Sequence, residues 1–541
     1  MASIVSIVGR WSRFCTGPVD AVPVVPIART WQWSPPLGLH EETEYTTKSG
    51  DLVHFASMTL ATESGPTYEP PRPIVLPQPS PRFRARRLAR TVGSFGKNVT
   101  GSMIAGARGN GGSVPQGIRR SFEDLGATYI KFGQMIASAP AVVPAAIAEE
   151  FRSTLDSGPP IPFADVRRIV ERELGGTLEA LYSRFEPKPF AAASIAVVHR
   201  ATLHDGREVA VKIVRPGVAR IVAADLDLME PLFRMLSRQG SNPAYNGLSY
   251  LIGLRGQVAE ELDLRNEVRT MAYFRSLFER FGLTRLVIPE VIEGHCSRAV
   301  LTMEFLDGFP LDDLAAAAEM GVEPRPLVDE LLKAWVLSAL RAGVFHADIH
   351  AGNLLLLRDG RLAMLDWGIV ARLNTETRAF FRAMVEAALG REEAWDRITK
   401  HVIATNGTVL DAFGYTHEDM VGITRQFLEP VLTRPLKDVS MAAMFMPPEK
   451  AAEMNHGIAA PKRTLKERWV ANRLTAKAYR NSLEEELQKN STQRANFLSA
   501  KQLLYLERYG RIYMPDQALL GDHEFLEAAL ELEDVDGNEW E

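Results

Sequence analysis

The chain has 541 residues, of which 46% are hydrophobic and 24% charged, a balance typical of a soluble globular protein. This length allows about two to four domains of ordinary size. A formal net charge of -5 argues against a globally basic, nucleic-acid-binding protein. Cys15 and Cys296 are too few and too far apart for a disulfide or zinc framework, which favours a reducing, cytoplasmic location.

The N-terminal part divides into two segments. Residues 1–81 lack sustained periodicity and contain seven prolines between Pro66 and Pro81, so we predict a flexible arm. Residues 82–160 form a predicted helical extension, which begins with basic and apolar residues spaced near a helical turn. That pattern fits either a helix on an anionic membrane surface or a solvated face of a packed helix. We find no membrane span or export signal in the sequence.

Two hairpins are predicted further along the chain. Asp205-Gly206 separates two apolar runs, and Asp359-Gly360 repeats the pattern between leucine-rich runs. An apolar helical pattern over residues 327–340 lies between them and stops near Gly343. We therefore expect a strand-rich region followed by a helix-rich region that contains a small hairpin.

The segment 345–353 and the Asp-Trp-Gly at 366–368 carry the chemistry. Phosphoryl transfer needs a carboxylate near the attacking hydroxyl and oxygen ligands for Mg²⁺ at the phosphates. Asp348 is the candidate base, and Asn353 and Asp366 are the candidate metal ligands, in the order found in kinases. Upstream, Lys212 ends a Val-Ala-Val-Lys strand and is the candidate for holding the phosphates of ATP.

Together these motifs resemble the UbiB/AarF atypical kinases, also called the ADCK group. Four further features match that family: a Lys-x-Gly-Gln motif, an alanine-rich loop in place of the kinase glycine-rich loop, a Glu-x-Asp motif, and a glutamate that pairs with the strand lysine. In this chain they are Lys131 and Gln134, Ala191, Ala192, Ala193 and Ser194, Glu261 and Asp263, and Glu267.

The resemblance implies an α+β, bilobal, protein-kinase-like fold that binds ATP and Mg²⁺. Its expected parts are the extension, a small lobe at 161–305 and a large lobe at 306–460. Outside the resemblance, a basic segment at 462–480 and an acidic run at 522–541 predict a charged helical C-terminal tail at 461–541. Glu304 and Leu306 fall in the expected hinge and are candidates for nucleotide binding. Lys131 and Gln134 are expected to pack near Glu261 and Asp263, shielding the site from protein substrates.

The family also implies ATP hydrolysis or phosphorylation of a small lipid-like molecule, often in isoprenoid quinone or lipid metabolism at a membrane surface. The expected partners are therefore a nucleotide, a lipid or quinone-precursor ligand and a peripheral membrane contact.

Departures from the motifs leave the catalytic oxygens and the lysine intact. Ala347 stands where many kinases have arginine, and no Ala-Pro-Glu docking segment follows Asp366. Trp367 replaces the family's usual phenylalanine. His346 and His350 are expected to be hydrogen-bonding residues of the loop rather than zinc ligands.

Three other functions remain open at this point. A phosphotransferase of the aminoglycoside or choline kinase type shares the catalytic-loop pattern but has no reason to carry Lys131 or Glu261. A protein kinase acting in trans lacks its docking segment here. A nucleotide-binding pseudokinase scaffold is disfavoured by the intact catalytic set.

Overall fold

The computed structural model describes residues 67–109, 111–137, 150–151, 161–239, 247–410, 416–440 and 490–535. Helices and largely antiparallel sheets alternate along the chain, which confirms the predicted α+β class. Most of the expected arm, residues 1–66, and the basic segment 462–480 lie outside the described residues. Within the described part of the chain, no helix is both long enough and apolar enough to span a bilayer.

The last part of the predicted arm, residues 67–80, contains no helix or strand and leads into the helices of the extension, α1 Pro81–Ala107, α2 Val114–Leu125 and α3 Ala127–Ala137. Tyr68 is only 2% exposed and packs edge-on against Tyr273, with ring centroids 5.1 Å apart. The Ile74 N–H donates to the Ala259 carbonyl at 2.9 Å. The flexibility predicted for residues 1–81 therefore does not extend to this segment, because buried and hydrogen-bonded groups hold it against the protein.

The small lobe is an antiparallel sheet with helices against both faces. Its first elements are α4 Phe163–Leu174, α5 Leu178–Leu181, β1 Arg184–Phe185, β2 Ala191–Ala192, β3 Ala196–Thr202 and β4 Glu208–Val214. Gly206 makes the predicted turn between β3 and β4 with a φ of 91°, which glycine adopts without strain. Val209, Val211 and Ile213 alternate along β4 and pack in the same core as α4, so the intervening Lys212 points to the other face.

Three helices are inserted before the sheet is completed. They are α6 Val218–Gln239, α7 Gly247–Glu261 and α8 Leu264–Arg280, and β5 Leu286–Val287 and β6 Val300–Glu304 follow. β6 pairs with β4, giving the order β1-β3-β4-β6 with β2 paired to β3. Asp263 caps α8 by accepting the Arg265 N–H at 3.2 Å, and this starts the helix so that Glu267 lies in its first turn.

The large lobe is mainly helical and contains the second predicted hairpin. Its elements are β7 Gly308–Pro310, α9 Leu314–Met320, α10 Arg325–Leu337, β8 Val344–His346, β9 Leu354–Leu357, β10 Leu362–Met364, β11 Val370–Arg372, α11 Thr375–Ala388, α12 Glu393–Leu410 and α13 His417–Thr433. Gly360, at φ 82°, closes the turn between β9 and β10. The predicted buried helix is α10, whose last turn widens into a π-turn and stops at Gly343 with φ 65°. β8 pairs with β11, which brings the catalytic-loop strand beside the residues after Gly368.

The described tail contains two helices, α14 Asn490–Tyr513 and α15 His523–Glu531, that are packed against the large lobe. Arg341, 4% exposed, donates from Nε and Nη2 to the Ala529 carbonyl near the end of α15 at 2.7 and 2.6 Å. A guanidinium at this end of a helix satisfies a carbonyl that has no partner within the helix. Helix α14 packs against both α7 and β11. The described tail is thus part of the folded body.

Candidate active site

The lysine of the first hairpin lies at the centre of the small-lobe sheet. Lys212 occupies β4 between Val198 of β3 and Leu301 of β6. Its Nζ lies 2.8 and 2.9 Å from the two carboxylate oxygens of Glu267 and 3.2 Å from Oδ2 of Asp366. The side chains of Lys212 and Glu267 are 9% and 3% exposed. The structure therefore brings together three residues that were predicted from three separate motifs.

These three ionisable groups influence one another strongly because they are in direct contact and two of them, Lys212 and Glu267, are buried. Burial acts to lower the pKa of Lys212, but the Asp366 and Glu267 carboxylates outweigh burial and raise this pKa. Burial raises the pKa of Glu267 to about 7, against the opposing effect of Lys212. Burial also acts to raise the pKa of Asp366, yet the Lys212 ammonium and the Gly368 N–H hold it well below its usual range. The ammonium and the Asp366 carboxylate consequently remain charged near neutral pH.

The catalytic loop starts at the end of β8 and is organised by His346. Burial lowers the pKa of His346 to about 4, so its ring is neutral near pH 7. Nδ1 accepts the Asp348 backbone N–H at 3.1 Å, and the protonated Nε2 donates to the Asp366 carbonyl at 2.6 Å. One imidazole thus holds the backbone of both the candidate base and a candidate metal ligand. His350 accepts the Gly352 N–H at 3.1 Å, so both histidines have the hydrogen-bonding roles expected for them.

Asn353 lies at the other end of the same loop and its side chain reaches back to Asp348. Its side-chain nitrogen donates to the Asp348 carbonyl at 2.9 Å, which leaves the side-chain oxygen for a metal ion. The Leu365 N–H donates to the Asn353 carbonyl at 3.0 Å, tying the loop to the residue before Asp366. The Asp348 side chain is 16% exposed and its carboxylate lies 3.9 Å from Nε2 of His350. The loop therefore presents its carboxylate and amide on a hydrogen-bonded backbone.

Trp367 has a structural role that the sequence analysis did not anticipate. It is 1% exposed and packs against Phe274 of α8, with ring centroids 4.6 Å apart, and edge-on against His346 at 4.5 Å. Its indole N–H donates to the Met364 carbonyl at 2.9 Å, and its backbone N–H donates to Glu267 at 3.3 Å. The ring therefore links the helix that carries Glu267 to the catalytic loop. Its signal in the sequence was a larger aromatic residue in the place of the family's usual phenylalanine.

The extension reaches the cleft through Lys131 of α3. Its Nζ lies 2.8 Å from both carboxylate oxygens of Glu261, whose Oε1 also accepts from Gln257 at 2.7 Å. A Cβ placed on Gly368 would lie 3.6 Å from Cγ of Glu261 and 3.1 Å from Oδ1 of Asp366, so this ion pair borders the metal-ligand motif. Gln257 was missed by sequence reasoning, although it stands four residues before Glu261 on one helix.

The other two residues of these motifs are Asp263 and Gln134. Asp263 caps α8 and pairs with Arg265 at 2.6 Å, so its carboxylate is used within its own turn. Burial acts to raise the pKa of Asp263, but the hydrogen bonds from Arg265 lower it overall. Gln134 lies on α3, and its side chain is outside the described residues.

The alanine-rich loop and the hinge lie at opposite ends of the small-lobe sheet strands. Ala191 and Ala192 form β2 beside Val198 and Val197, and the loop continues through Ala193 and Ser194. The guanidinium of Arg215, which sequence reasoning missed, donates to the Ala193 carbonyl at 3.2 and 3.1 Å. Glu304 ends β6 and its carboxylate accepts the Glu290 N–H at 3.3 Å, while Leu306 is half-buried in the link to β7.

The oxygen donors suit a magnesium ion. Asn353 supplies an amide oxygen and Asp366 a carboxylate that is 37% exposed toward the cleft. Among the described residues, no group of three or more His, Cys, Asp and Glu side chains is arranged to enclose a metal. Two protein oxygens are nevertheless a usual protein contribution for Mg²⁺ at a nucleotide, because phosphates and water complete its octahedron.

A lysine–glutamate pair on a small sheet, facing an Asp-Asn loop and an Asp-Trp-Gly motif, defines a protein-kinase-like cleft. The model of the ABC1 atypical kinase-like domain matches residues 153–401. An uncharacterised chloroplast aarF domain-containing protein kinase of Arabidopsis thaliana is 33% identical over 419 residues, which cover 75% of this chain and 73% of the relative. A probable protein kinase UbiB of Aeromonas hydrophila is 31% identical over 370 residues, covering 66% and 64%.

The chain therefore belongs to the UbiB/aarF family of atypical kinase-like proteins, as the resemblance predicted. This membership makes it a kinase-like protein of the phosphotransferase type. Among solved structures, a Mycobacterium tuberculosis protein in complex with erythromycin is 23% identical and covers 71% of this chain and 91% of its own, with a TM-score of 0.39.

Proposed function

We propose that the chain binds ATP with Mg²⁺ in this cleft and either hydrolyses it or transfers its terminal phosphoryl group to a small lipid-like acceptor. The observation that carries the proposal is the contact of Lys212 with both Glu267 and Asp366, 2.8 and 3.2 Å away. In phosphoryl transfer the protein acts mainly by positioning groups and by neutralising charge. The Lys212 ammonium can neutralise charge on the phosphates, and its contacts with the two carboxylates keep it in position.

Each residue of the set then has a distinct task. Lys212 holds the α- and β-phosphates while Glu267 orients it, and Asp348 orients the attacking hydroxyl or water. Asn353 and Asp366 would hold Mg²⁺, which would neutralise charge on the phosphates. The bonds from His346 and Asn353 to the Asp348 backbone favour this role, because they keep the carboxylate in place before substrate arrives.

A short segment after the metal-ligand motif favours water or a small acceptor over a protein. Only residues 369–374 separate Gly368 from the start of α11 at Thr375. Val370 and its neighbours pair with β8 directly beside the catalytic loop. This leaves little chain for a peptide-docking platform. The Lys131–Glu261 pair beside Gly368 supports the same conclusion, because it places the extension next to the cleft. The pair also distinguishes this chain from phosphotransferases of the aminoglycoside or choline kinase type, which have no reason to carry these two residues.

A membrane surface is the proposed working environment, with a role in lipid or isoprenoid quinone metabolism by analogy with the family. Helix α1 exposes a row of apolar side chains, Leu88, Val92 and Met103, which are 48, 64 and 56% exposed. Basic residues spaced four and seven apart form a second exposed row along one flank of that face: Arg82, Arg86, Arg90 and Lys97. An apolar face with a basic flank suits an anionic lipid surface.

The catalytic proposal is tested by nucleotide binding and phosphate release with and without Mg²⁺. Asp366→Asn should remove the magnesium dependence of nucleotide affinity. Asp348→Asn should reduce phosphate release by at least about 100-fold while nucleotide binding persists. Asp359→Asn, in the exposed turn of the large-lobe hairpin, is the matched control and should behave like wild type. Full magnesium dependence in Asp366→Asn, or undiminished release in Asp348→Asn, would contradict the assignment.

The membrane proposal is tested with vesicles of zwitterionic lipid alone and of the same lipid containing an anionic lipid. We expect sedimentation with anionic vesicles and faster phosphate release in their presence, or on addition of lipid-phase phenols. Leu88→Glu with Val92→Glu should abolish the vesicle effect, whereas Leu314→Glu, which alters an equally exposed leucine in the large lobe, should not. Equal vesicle binding by both variants would exclude α1 as the contact.

A further inference from the structure

The tail reaches the catalytic loop through one buried side chain. Tyr509 of α14 has no exposed surface, and its hydroxyl donates to the Ile349 carbonyl at 2.8 Å. Ile349 lies between Asp348 and His350 and is itself 2% exposed. The two bonded residues are 160 positions apart in the chain. A segment outside the matched kinase-like domain therefore contacts the backbone carbonyl of the residue that follows the candidate base.

This contact completes a set of three bonds that fix the backbone around Asp348. The Asp348 N–H is held by His346, and its carbonyl is held by the side chain of Asn353. Both of those partners belong to the loop itself. Tyr509 supplies the bond to the next carbonyl, that of Ile349, so the peptide unit between Ile349 and His350 is held from a separate helix.

Burial keeps the Tyr509 hydroxyl able to donate its hydrogen bond to the Ile349 carbonyl. Burial raises the pKa of the Tyr509 hydroxyl, so it stays protonated and remains a donor throughout the physiological range. Without it, a buried carbonyl would lose its partner, a loss that costs about 1–3 kcal/mol in typical proteins. A loop backbone shifted so that the Ile349 carbonyl meets another donor would then be favoured.

Other contacts hold α14 independently of Tyr509. Arg511 donates to the carbonyls of Leu436 and Val439, and Arg508 pairs with Asp312 at 2.8 Å. The tail should therefore stay docked when the Tyr509 hydroxyl is removed. Its loss then affects the loop rather than the attachment of the helix.

We propose that Tyr509 is a positioning residue for the reaction, through which the C-terminal tail holds the Asp348 carboxylate in its working orientation. The inference rests on the proposed function, because it assigns a support to the proposed base. Because the Tyr509 hydroxyl bonds to the backbone of the catalytic loop rather than to Lys212, Asn353 or Asp366, we expect it to act on the chemical step and not on ATP affinity.

The test compares Tyr509→Phe with Tyr513→Phe in the full chain. Tyr513 lies one turn further along α14 and donates its hydroxyl to the carbonyl of Leu311, outside the catalytic loop. We expect Tyr509→Phe to lower kcat for phosphate release by about 10-fold, since small misplacements of a catalytic group have effects of this size. KM for ATP should stay within about twofold, since uniform binding is retained. Tyr513→Phe should leave kcat unchanged.

Hydrogen exchange of the nucleotide-free protein gives a second readout that does not depend on turnover. Backbone amides of residues 346–353 should exchange faster in Tyr509→Phe than in wild type or Tyr513→Phe. Unchanged kcat in Tyr509→Phe, or equal losses in both variants that follow their thermal stability, would overturn the proposal. If the wild-type chain neither releases phosphate nor transfers a phosphoryl group to an added lipid-phase phenol, the proposed function fails. Loop exchange then decides alone: faster exchange only in Tyr509→Phe supports the positioning role, and unchanged exchange refutes it.

Discussion

His346 is the residue on which the organisation of the catalytic loop depends most directly. Its neutral ring accepts from Asp348 at Nδ1 and donates to Asp366 from Nε2. A protonated ring has no acceptor, so protonation would break the bond to the Asp348 N–H. Burial prevents this by lowering the pKa of His346 to about 4. The same burial makes the folded state sensitive to acid.

We predict that His346 destabilises the fold as the pH falls. Its pKa is about 4 when folded and about 6.5 when unfolded, so the unfolded state binds more protons between these values. The contribution of His346 to stability is complete above pH 6.5 and is lost as the pH falls toward 4. Between pH 7 and 5 the loss from this residue should be about 2 kcal/mol.

Urea unfolding of the metal-free protein at pH 7 and pH 5 measures this loss. The pH dependence should be smaller by that amount in His346→Gln, and unaltered in His204→Gln, which changes an exposed histidine of the small-lobe hairpin turn. An identical pH dependence in wild type and His346→Gln would show that the buried ring does not titrate as assigned.

At the scale of elements, α1 shows what sequence periodicity predicts and what it omits. The spacing of basic and apolar residues was sufficient to predict the helix. It did not distinguish Arg87 from its exposed neighbours, although Arg87 is 7% exposed. Arg87 is buried because it pairs with Asp225 of α6, 138 residues later in the chain. The Nε and Nη2 of Arg87 donate to the two Asp225 carboxylate oxygens at 2.6 and 2.8 Å. Its Nη2 also donates to the Leu125 carbonyl, at the end of α2.

Breaking the buried Arg87–Asp225 pair should therefore destabilise the extension. Arg87→Met leaves the Asp225 carboxylate buried without its cation, which typically costs about 3–5 kcal/mol. Arg87→Met combined with Asp225→Leu should recover much of that loss, because it removes both charges together. Arg86→Met, one position away and exposed, should change stability by less than about 0.5 kcal/mol. Denaturant unfolding of the four proteins checks the prediction, and equal losses for Arg86→Met and Arg87→Met would refute it.

In the whole molecule, four separate parts of the chain converge on the cleft. The extension contributes Lys131, the small lobe Lys212 and Glu267, the large lobe its catalytic loop, and the tail the Tyr509 hydroxyl. The first three were predictable because phosphoryl transfer restricts which residue types serve, and because their order matched a known family. The tail contact was not predictable, since a tyrosine bonded to a backbone carbonyl 160 residues away has no local sequence signature.

The docking of the extension on the cleft gives a prediction for the molecule as a whole. Lys131 and Glu261 are 12% and 7% exposed, and they join α3 to the helices inserted in the small lobe. In a double-mutant cycle of Lys131→Met and Glu261→Gln, measured by denaturant unfolding, we expect a coupling energy of about 1–3 kcal/mol. The exposed pair Arg200–Glu208, 42% and 43% exposed, is the matched control and should couple by less than about 1 kcal/mol. A Lys131–Glu261 coupling no larger than the control would mean that burial does not strengthen this pair, and the extension would then be held on the cleft mainly by its apolar contacts.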